Sequence, residues 1–412
     1  MKILQINSVC GYGSTGRIAT DLYDVLEKAG HECAIAYGRG SAQSKYHTIK
    51  IGNKTQVYKN VLLSRIFDNE GFNAEKSTIN LIEEIKIYAP DIIHLHNLHG
   101  YYLNIEILFN FLKTLDVPIV WTLHDCWSFS PHSAYIDVDK NDYLPTMSER
   151  KDMKDYPKAI LKNNSVKNYK KKKELFTSLK NLTLVCPSEW LAKLVRKSFF
   201  KEYPIEVINN GIDLESFKPI DNDFKQLNSV ENKKMLLGVA SVWEERKGLK
   251  YFNLLADKLD DTYQIVLVGI TQKEKKTTHP NILTISKTNN VKELAGLYTS
   301  ADLFINPTLE DNFPTTNIES LACGTPIVTF DTGGSPESLN PQTGVVVEKG
   351  NVKKLKKAIT NFDYDFDYQA LCVSRAKNFD KKIMYKKYLV LYKKMLTIKG
   401  NDKSGTRKNI VH

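Results

Sequence analysis

The sequence predicts an α/β protein made of two Rossmann-like domains facing a central cleft, and three observations carry that prediction. The 412 residues suffice for two domains of ordinary size, and 42% hydrophobic with 25% charged residues is a globular composition. The first half alternates apolar strand-like runs with amphipathic helical ones, the pattern of a doubly wound sheet. The second half repeats that alternation after a break near residue 209.

In chain order, residues 2–7 read as a strand, and Ile18, Leu22, Val25, Leu26 and Ala29 mark a helix that Gly30 stops. Strands follow at 33–37, 92–96 and 119–123, with a helix near 104–115 between the last two. Residues 128–169 mix aromatic, proline, acidic and basic residues without a period, and are expected to form a long insertion or flexible loop over the site. Order resumes with a strand at 182–186, a helix from Ser188 and a strand at 205–208. The hinge is expected in Asn209-Asn-Gly-Ile-Asp-Leu214, where Gly211 permits an unusual backbone turn. Beyond it come a strand at 235–240, a helix from Gly248, a strand at 264–268 and a helix near 291–298. A buried strand at 301–306 is ended by Pro307, and Thr315 or Thr316 caps a helix that runs to Gly324 before a strand at 325–330. Helical segments near 368–378 and 381–395 close the chain, with a frayed tail from Lys399.

Six scattered cysteines with no Cys-x-x-Cys pair argue against structural zinc and a disulfide framework. No run of about eighteen apolar residues exists, and the apolar start is too brief for a signal peptide, so a soluble cytoplasmic protein is expected. The net charge of +11 fits nucleic acid, an anionic membrane or an anionic substrate alike. Much of it lies in lysine runs at 170–173, 349–357 and 381–394, read either as solvated helix faces or as a docking surface for anionic lipid.

The most informative stretch runs from Asn306 to Gly324, where Glu310 and Asp311 lead through Asn312, Phe313 and Pro314 to Glu319. Carboxylates then stand at both ends of one loop-helix unit after a strand. Strand carboxyl ends in open α/β sheets meet ligands, and helix N-termini favour phosphates, so the unit suits a hydroxyl-rich ligand carrying phosphate. A second cluster, Gly238-Val-Ala-Ser-Val-Trp-Glu-Glu-Arg-Lys-Gly248, sets Arg246 and Lys247 where they can neutralise a pyrophosphate. A third, Thr332-Gly-Gly-Ser-Pro-Glu337, is a tight turn holding Gly333 and Gly334.

The first half offers Gly11-Tyr-Gly-Ser-Thr-Gly16, which fits G-x-G-x-x-G and alone would suggest a dinucleotide-binding oxidoreductase. Ser8, Val9 and Cys10 separate it from its strand, and no acid ends the second strand to hold a ribose, while Arg39 leaves NADP open. His124 follows a strand and precedes Asp125, Cys126 and Trp127. His94, His96 and His99 could hold a metal, but two alternate on one strand and no carboxylate has matching spacing, so core or cleft lining is preferred. Asp-x-Asp occurs at 137–139, 221–223, 363–365 and 365–367, too often to signify, and no essential metal is expected.

The run Thr308-Leu-Glu-Asp-Asn-Phe-Pro-Thr-Thr-Asn-Ile-Glu-Ser-Leu-Ala-Cys-Gly-Thr-Pro-Ile-Val resembles the donor-site signature of retaining nucleotide-sugar glycosyltransferases, family four (glycosyl transferases group 1), of the bacterial capsule or exopolysaccharide type. The family's first acid is commonly Glu, so Asp311 is one methylene short unless Glu310 takes its place. The resemblance implies the GT-B fold, with an acceptor-binding domain at 1–208, a donor-binding domain at 209–380, a crossover helix at 381–398 returning to the first domain and a flexible tail at 399–412. It implies catalytic roles for His124, Asp311, Arg246 and Lys247, and donor contacts from Gly13, Glu310, Asn312, Phe313, Glu319, Gly333 and Gly334. Glu319 would bind ribose hydroxyls and His124 the donor sugar. The implied reaction transfers a sugar from a nucleotide diphosphate sugar to a glycan or lipid-linked glycan acceptor with retention, in surface polysaccharide biosynthesis, without metal, cofactor or nucleic acid and with peripheral membrane contact. Sugar-nucleotide epimerases and phosphorylases share the fold, and a non-catalytic nucleotide or glycan binder is a further alternative.

Overall fold

The computed structural model describes residues 1–136 and 156–408, with side chains through 399. The chain divides into two compact units, Met1–Ile208 with Met384–His412, and Asn209–Ile383.

The first unit holds seven strands: β1 (Lys2–Val9), β2 (Glu32–Arg39), β3 (Thr48–Lys50), β4 (Ile92–Leu95), β5 (Ile119–Thr122), β6 (Leu182–Cys186) and β7 (Ile205–Val207). They form one sheet in the order β3-β2-β1-β4-β5-β6-β7, every pairing parallel. Side chains alternate across a strand, so each strand feeds two cores. Leu4, Ile6, Leu95 and Trp121 lie in one. Ile3, Ile35, Ile92, Val120 and Val185 lie in the other, with Tyr385, Tyr388 and Tyr392 of the last helix. The order of successive strands across the sheet reverses between β1 and β4, the switch point at which open α/β sheets bind ligands.

The second unit repeats the plan with β8 (Lys234–Val239), β9 (Tyr263–Val268), β10 (Leu283–Ile285), β11 (Leu303–Asn306), β12 (Ile327–Phe330) and β13 (Gly344–Val347), ordered β10-β9-β8-β11-β12-β13 and all parallel. Met235, Leu237, Val266 and Phe304 pack on one face, and Leu236, Ile265, Leu267 and Ile305 on the other. The switch point lies between β8 and β11.

Several expectations need correction. The closing helix runs Lys381–Lys408 rather than fraying at Lys399; its late glycines, Gly400 and Gly405, each cost about 1 kcal/mol of helix propensity, too little to end it. Gly211 is not at positive φ; a Cβ there would lie 2.6 Å from the Cα of Lys381, so the glycine serves close backbone approach. Neither Thr315 nor Thr316 caps the Thr315–Ala322 helix, whose N-cap is Pro314 with no side-chain bond. Within 128–169, Phe129, Ala134 and Ile136 are buried, Ala134 N–H donates to the Tyr156 carbonyl at 2.9 Å, and a helix, Ser165–Phe176, has begun before Tyr169. Residues 137–155, including Asp137-Val-Asp139, lie outside the described residues. The lysine run at 170–173 is not one solvated face, because Lys172 is buried.

Candidate active site

In the second unit three loops converge beyond the carboxyl ends of β8, β11 and β12. The Glu245–Lys247 turn after β8 is followed by Gly248 at φ +77°, where a Cβ would lie 2.2 Å from the Pro307 carbonyl oxygen. Leu309 N–H donates to the Arg246 carbonyl at 2.7 Å, which ties that turn to the acidic loop after β11. On the other side, Gly334 N–H donates to the Asp311 carbonyl at 3.1 Å and Thr332 Oγ1 to the Leu309 carbonyl at 2.7 Å. Gly333, at φ +55°, approaches so closely that a Cβ would lie 1.8 Å from that Asp311 oxygen.

These contacts bring Arg246, Lys247, Glu310, Asp311, Gly333 and Gly334 together. Lys247 Nζ lies 2.5 Å from Asp311 Oδ2, and Arg246 Nη1 lies 4.0 Å from the same oxygen. Arg246 also donates from Nε to Glu244 Oε2 at 2.9 Å and from Nη1 to the Glu310 carbonyl at 3.2 Å. The Asp311 carboxylate thus sits on the cation pair. Asn312 and Phe313 are buried; the Phe313 ring packs 5.5 Å from Phe379 and its carbonyl accepts from Asn210 Nδ2 at 3.0 Å. Glu319, eight residues on, lies on the buried side of its helix, its Oε2 accepting from Tyr298 Oη at 3.1 Å.

Sequence reasoning missed what holds this loop from behind. Buried Asn306 donates from Nδ2 to Asn317 Oδ1 at 2.7 Å, and Asn317 Nδ2 donates to Ser335 Oγ and Ser338 Oγ, both at 3.0 Å. A buried amide without partners would cost several kcal/mol, so these bonds fix the loop and the Gly333–Gly334 turn to one helix. The signal was an Asn at the end of a strand and an Asn inside a helix, neither of which favours its element.

In the first unit the glycine-rich loop leaves β1. Gly11 N–H bonds to the Gly16 carbonyl at 3.1 Å, and Gly13 begins the Gly13–Lys28 helix at φ +63° with nothing within 4 Å of a Cβ. His124, half-buried after β5, is gathered with groups from β1 and β4. His96 Nδ1 lies 3.0 Å from His124 Nε2, and His96 Nε2 lies 3.0 Å from Gln5 Oε1. Gln5 Nε2 donates to the Ala19 carbonyl at 3.0 Å, which fixes the orientation of its amide. Oε1 then only accepts, so His96 carries its proton on Nε2 and accepts at Nδ1 from His124 Nε2–H. His124 is left with its lone pair on Nδ1. Burial pulls all three buried-cluster histidines down, His94 and His96 well below 6.5 and His124 to about 4, so the relay is neutral at pH 7. His94 bonds Thr122 Oγ1 at 2.8 Å and Tyr392 Oη at 2.6 Å instead, and His99 bonds Asp125 Oδ2 at 2.6 Å. Among the described residues no group of three metal-ligating side chains converges.

Two family models match the chain, Glycosyltransferase Family 4 over residues 15–216 and Glycosyl transferases group 1 over residues 219–379. The chain is similar to WcaC of Escherichia coli K12, a glycosyl transferase assigned to colanic acid biosynthesis, at 24% identity covering 86% of this chain and 89% of that one. This protein is a GT-B glycosyltransferase. The transferase also resembles, at 28% identity over 50% of its length and 58% of the relative's, the N,N'-diacetylbacillosaminyl-diphospho-undecaprenol α-1,3-N-acetylgalactosaminyltransferase of Campylobacter jejuni. Its fold matches that of the Anabaena protein HepE in complex with UDP-glucose, with a TM-score of 0.64 at 13% identity over 96% of this chain and 99% of that one.

For a transferase, the second-unit cluster pairs two cations with a carboxylate at a strand switch point, next to a helix whose first N–H groups have no side-chain cap. Such a site can take up the negative charge of a departing diphosphate while a carboxylate accepts from sugar hydroxyls.

Proposed function

We propose that this transferase moves a sugar from a nucleoside diphosphate to a glycan or lipid-linked glycan acceptor, with retention of anomeric configuration, in the assembly of a bacterial surface polysaccharide. The Lys247–Asp311–Arg246 cluster carries the reading. The name of the WcaC relative supports the polysaccharide context, that of the Campylobacter relative supports a lipid-linked acceptor, and the HepE complex supports a uridine nucleotide as the first donor to try.

In this account the second unit binds the donor and the first the acceptor. Lys247 and Arg246 exchange Asp311 for the donor diphosphate, and Asp311, Glu310 and the backbone of Asn312 and Phe313 orient the sugar. Glu319 holds the ribose, and the Gly333–Gly334 turn and Gly13 let backbone approach the donor. As the bond from the anomeric carbon to phosphate breaks, its electron pair leaves with the nucleoside diphosphate. The acceptor oxygen bonds to that carbon on the same face and its proton passes to the departing phosphate. Two fixed cations stabilise the developing charge, so the proposal includes no essential metal or cofactor. His124, neutral with its lone pair on Nδ1, serves as an acceptor for a sugar hydroxyl. The protein works in the cytoplasm, in peripheral contact with an anionic membrane and without nucleic acid.

Thermal unfolding with UDP, GDP, ADP and NADP in turn, with and without a chelator, tests the reading, because a ligand that binds only the folded state raises its stability. A chelator-independent shift with one nucleoside diphosphate, reduced in Glu319→Ala, is expected; a shift with NADP alone would overturn the assignment. Lys247→Ala should lower turnover with the matching nucleotide sugar, and proton NMR of the first-formed product reads retention directly.

A further inference from the structure

The Lys54–Phe67 helix buries a polar stripe and exposes large apolar side chains. Its buried residues are polar, Asn60 and Ser64, while Tyr58 is 73% exposed and Leu62 59%. The interior explains the orientation. Asn60 Nδ2 donates to the Tyr101 carbonyl at 2.9 Å, and Ser64 Oγ lies 3.2 Å from Oε2 of buried Glu70, whose Oε1 accepts from Gly100 N–H at 2.7 Å and Tyr101 N–H at 2.8 Å. Tyr101 sits at φ +67°, a conformation that a bulky residue holds only when its surroundings fix it. Rotating the helix to bury Leu62 would take Ser64 from Glu70 Oε2 and Asn60 from the Tyr101 carbonyl. Tyr58, Leu62 and Phe67 are therefore left facing out, while Val57, Val61, Leu63 and Ile66 are half-buried.

A second segment extends the same surface. Ile160 N–H donates to the Arg65 carbonyl at 2.7 Å and Lys162 N–H to the Ile66 carbonyl at 3.1 Å, clamping residues 160–162 onto the helix end. Ile160 is 66% and Leu161 71% exposed, and Lys162 Nζ stands 5.2 Å over the Phe67 ring. The same two segments carry exposed Lys54, Lys59, Arg65, Lys158, Lys162, Lys167 and Lys170, and neither 54–67 nor 156–173 contains an acid.

We infer that this face, Tyr58, Leu62, Phe67, Ile160 and Leu161 together with the basic residues of the same segments, docks the first unit onto the interface of an anionic bilayer. Apolar groups of this size enter the headgroup boundary, and cations around them are drawn to anionic lipid. A soluble protein partner would require matching acids, and a second copy of this chain would set these basic residues against each other. The inference rests on the proposed lipid-linked acceptor for its purpose and on its own side chains for its chemistry. It locates the contact here rather than on the lysine runs at 349–357 and 381–394.

Vesicle flotation tests it with phosphatidylcholine alone and phosphatidylcholine mixed with phosphatidylglycerol. The full chain should float with the mixed vesicles, less so as salt is raised. Leu62→Ser with Leu161→Ser, and separately Lys162→Glu with Lys167→Glu, should each lower that partitioning about tenfold or more. Lys353→Glu with Lys354→Glu should leave it unchanged. All these sites are exposed, and retained unfolding temperatures will show intact folds. Flotation of the 62/161 and 162/167 variants equal to that of the wild-type protein, or a wild-type dimer that Leu62→Ser with Leu161→Ser disperses, would overturn the inference. The transferase reading fails separately, as absence of any nucleotide-induced shift in the wild-type protein.

Discussion

Lys172 is the least expected charge in the molecule, and its titration can be read as stability. Its Nζ donates to the carbonyls of Trp127 at 2.6 Å and Ser130 at 2.7 Å and lies 4.6 Å from the Trp127 ring centre. Burial pulls its pKa from 10.5 to about 7, against the opposing pull of Asp125, Asp68 and Glu70. The folded value is below the unfolded one, so between these pH values the unfolded chain binds the extra proton. Stability is then greatest above 10.5 and is lost as pH falls toward 7, at about 1.4 kcal/mol per pH unit. Across about pH 7 to 8.5 the histidines are already neutral, while burial raises the pKa of Cys10, Cys33, Cys186, Cys323 and Cys372, so these thiols oppose the gain as the unfolded chain ionises toward 8.5. The Lys172 contribution, a gain of about 2 kcal/mol across this window, is therefore read as the difference in slope between the wild-type protein and Lys172→Met, in which the thiols cancel. In Lys172→Met the stem still fills its space but two carbonyls lose a donor, costing roughly 1–3 kcal/mol, and the Lys172 part of the slope disappears. Urea unfolding followed by tryptophan fluorescence at several pH values measures both quantities. Parallel slopes in the two proteins would refute the reasoning and mean that Lys172 stays charged among its carboxylates.

Gly333→Ala places a Cβ 1.8 Å from the Asp311 oxygen, where 3.0 Å is the nearest that such atoms come, so the acidic loop must retreat by more than an ångström. Added to about 1–2 kcal/mol for the left-handed backbone, this should lower the unfolding temperature and weaken the nucleoside diphosphate shift, whereas Gly296→Ala, with ordinary contacts, should do neither. Imidazole 15N NMR should find His96 and His124 both protonated on Nε2; in Gln5→Glu a carboxylate beside His96 favours its imidazolium, whose Nδ1–H then moves the His124 proton to Nδ1. His94, His96 and His124 have folded pKa values below their unfolded ones, so they cost stability as pH falls from about 6.5 toward 4, and His124→Asn should make that acid slope shallower.

The sequence by itself determined the alternation of strands and helices, the apolar faces of β1, β4 and β8, the convergence of an acidic loop with a basic turn, and the family. These depend on local periodicity and on glycines whose backbone demands are local, as at Gly248 and Gly333. It did not disclose the short strands β3, β10 and β13, held by parallel neighbours, nor the Lys54–Phe67 and Glu75–Tyr88 helices. Tertiary structure alone decided which lysine of 170–173 is buried, because only the Trp127 and Ser130 carbonyls, some forty residues away, distinguish Lys172 from its neighbours. It also decided that Asn60 and Ser64 face inward while Leu62 faces out, and that Gln5 sets the proton on His124 through His96. In each case a buried polar group needs a partner far along the chain, and no local pattern encodes the partner that satisfies it.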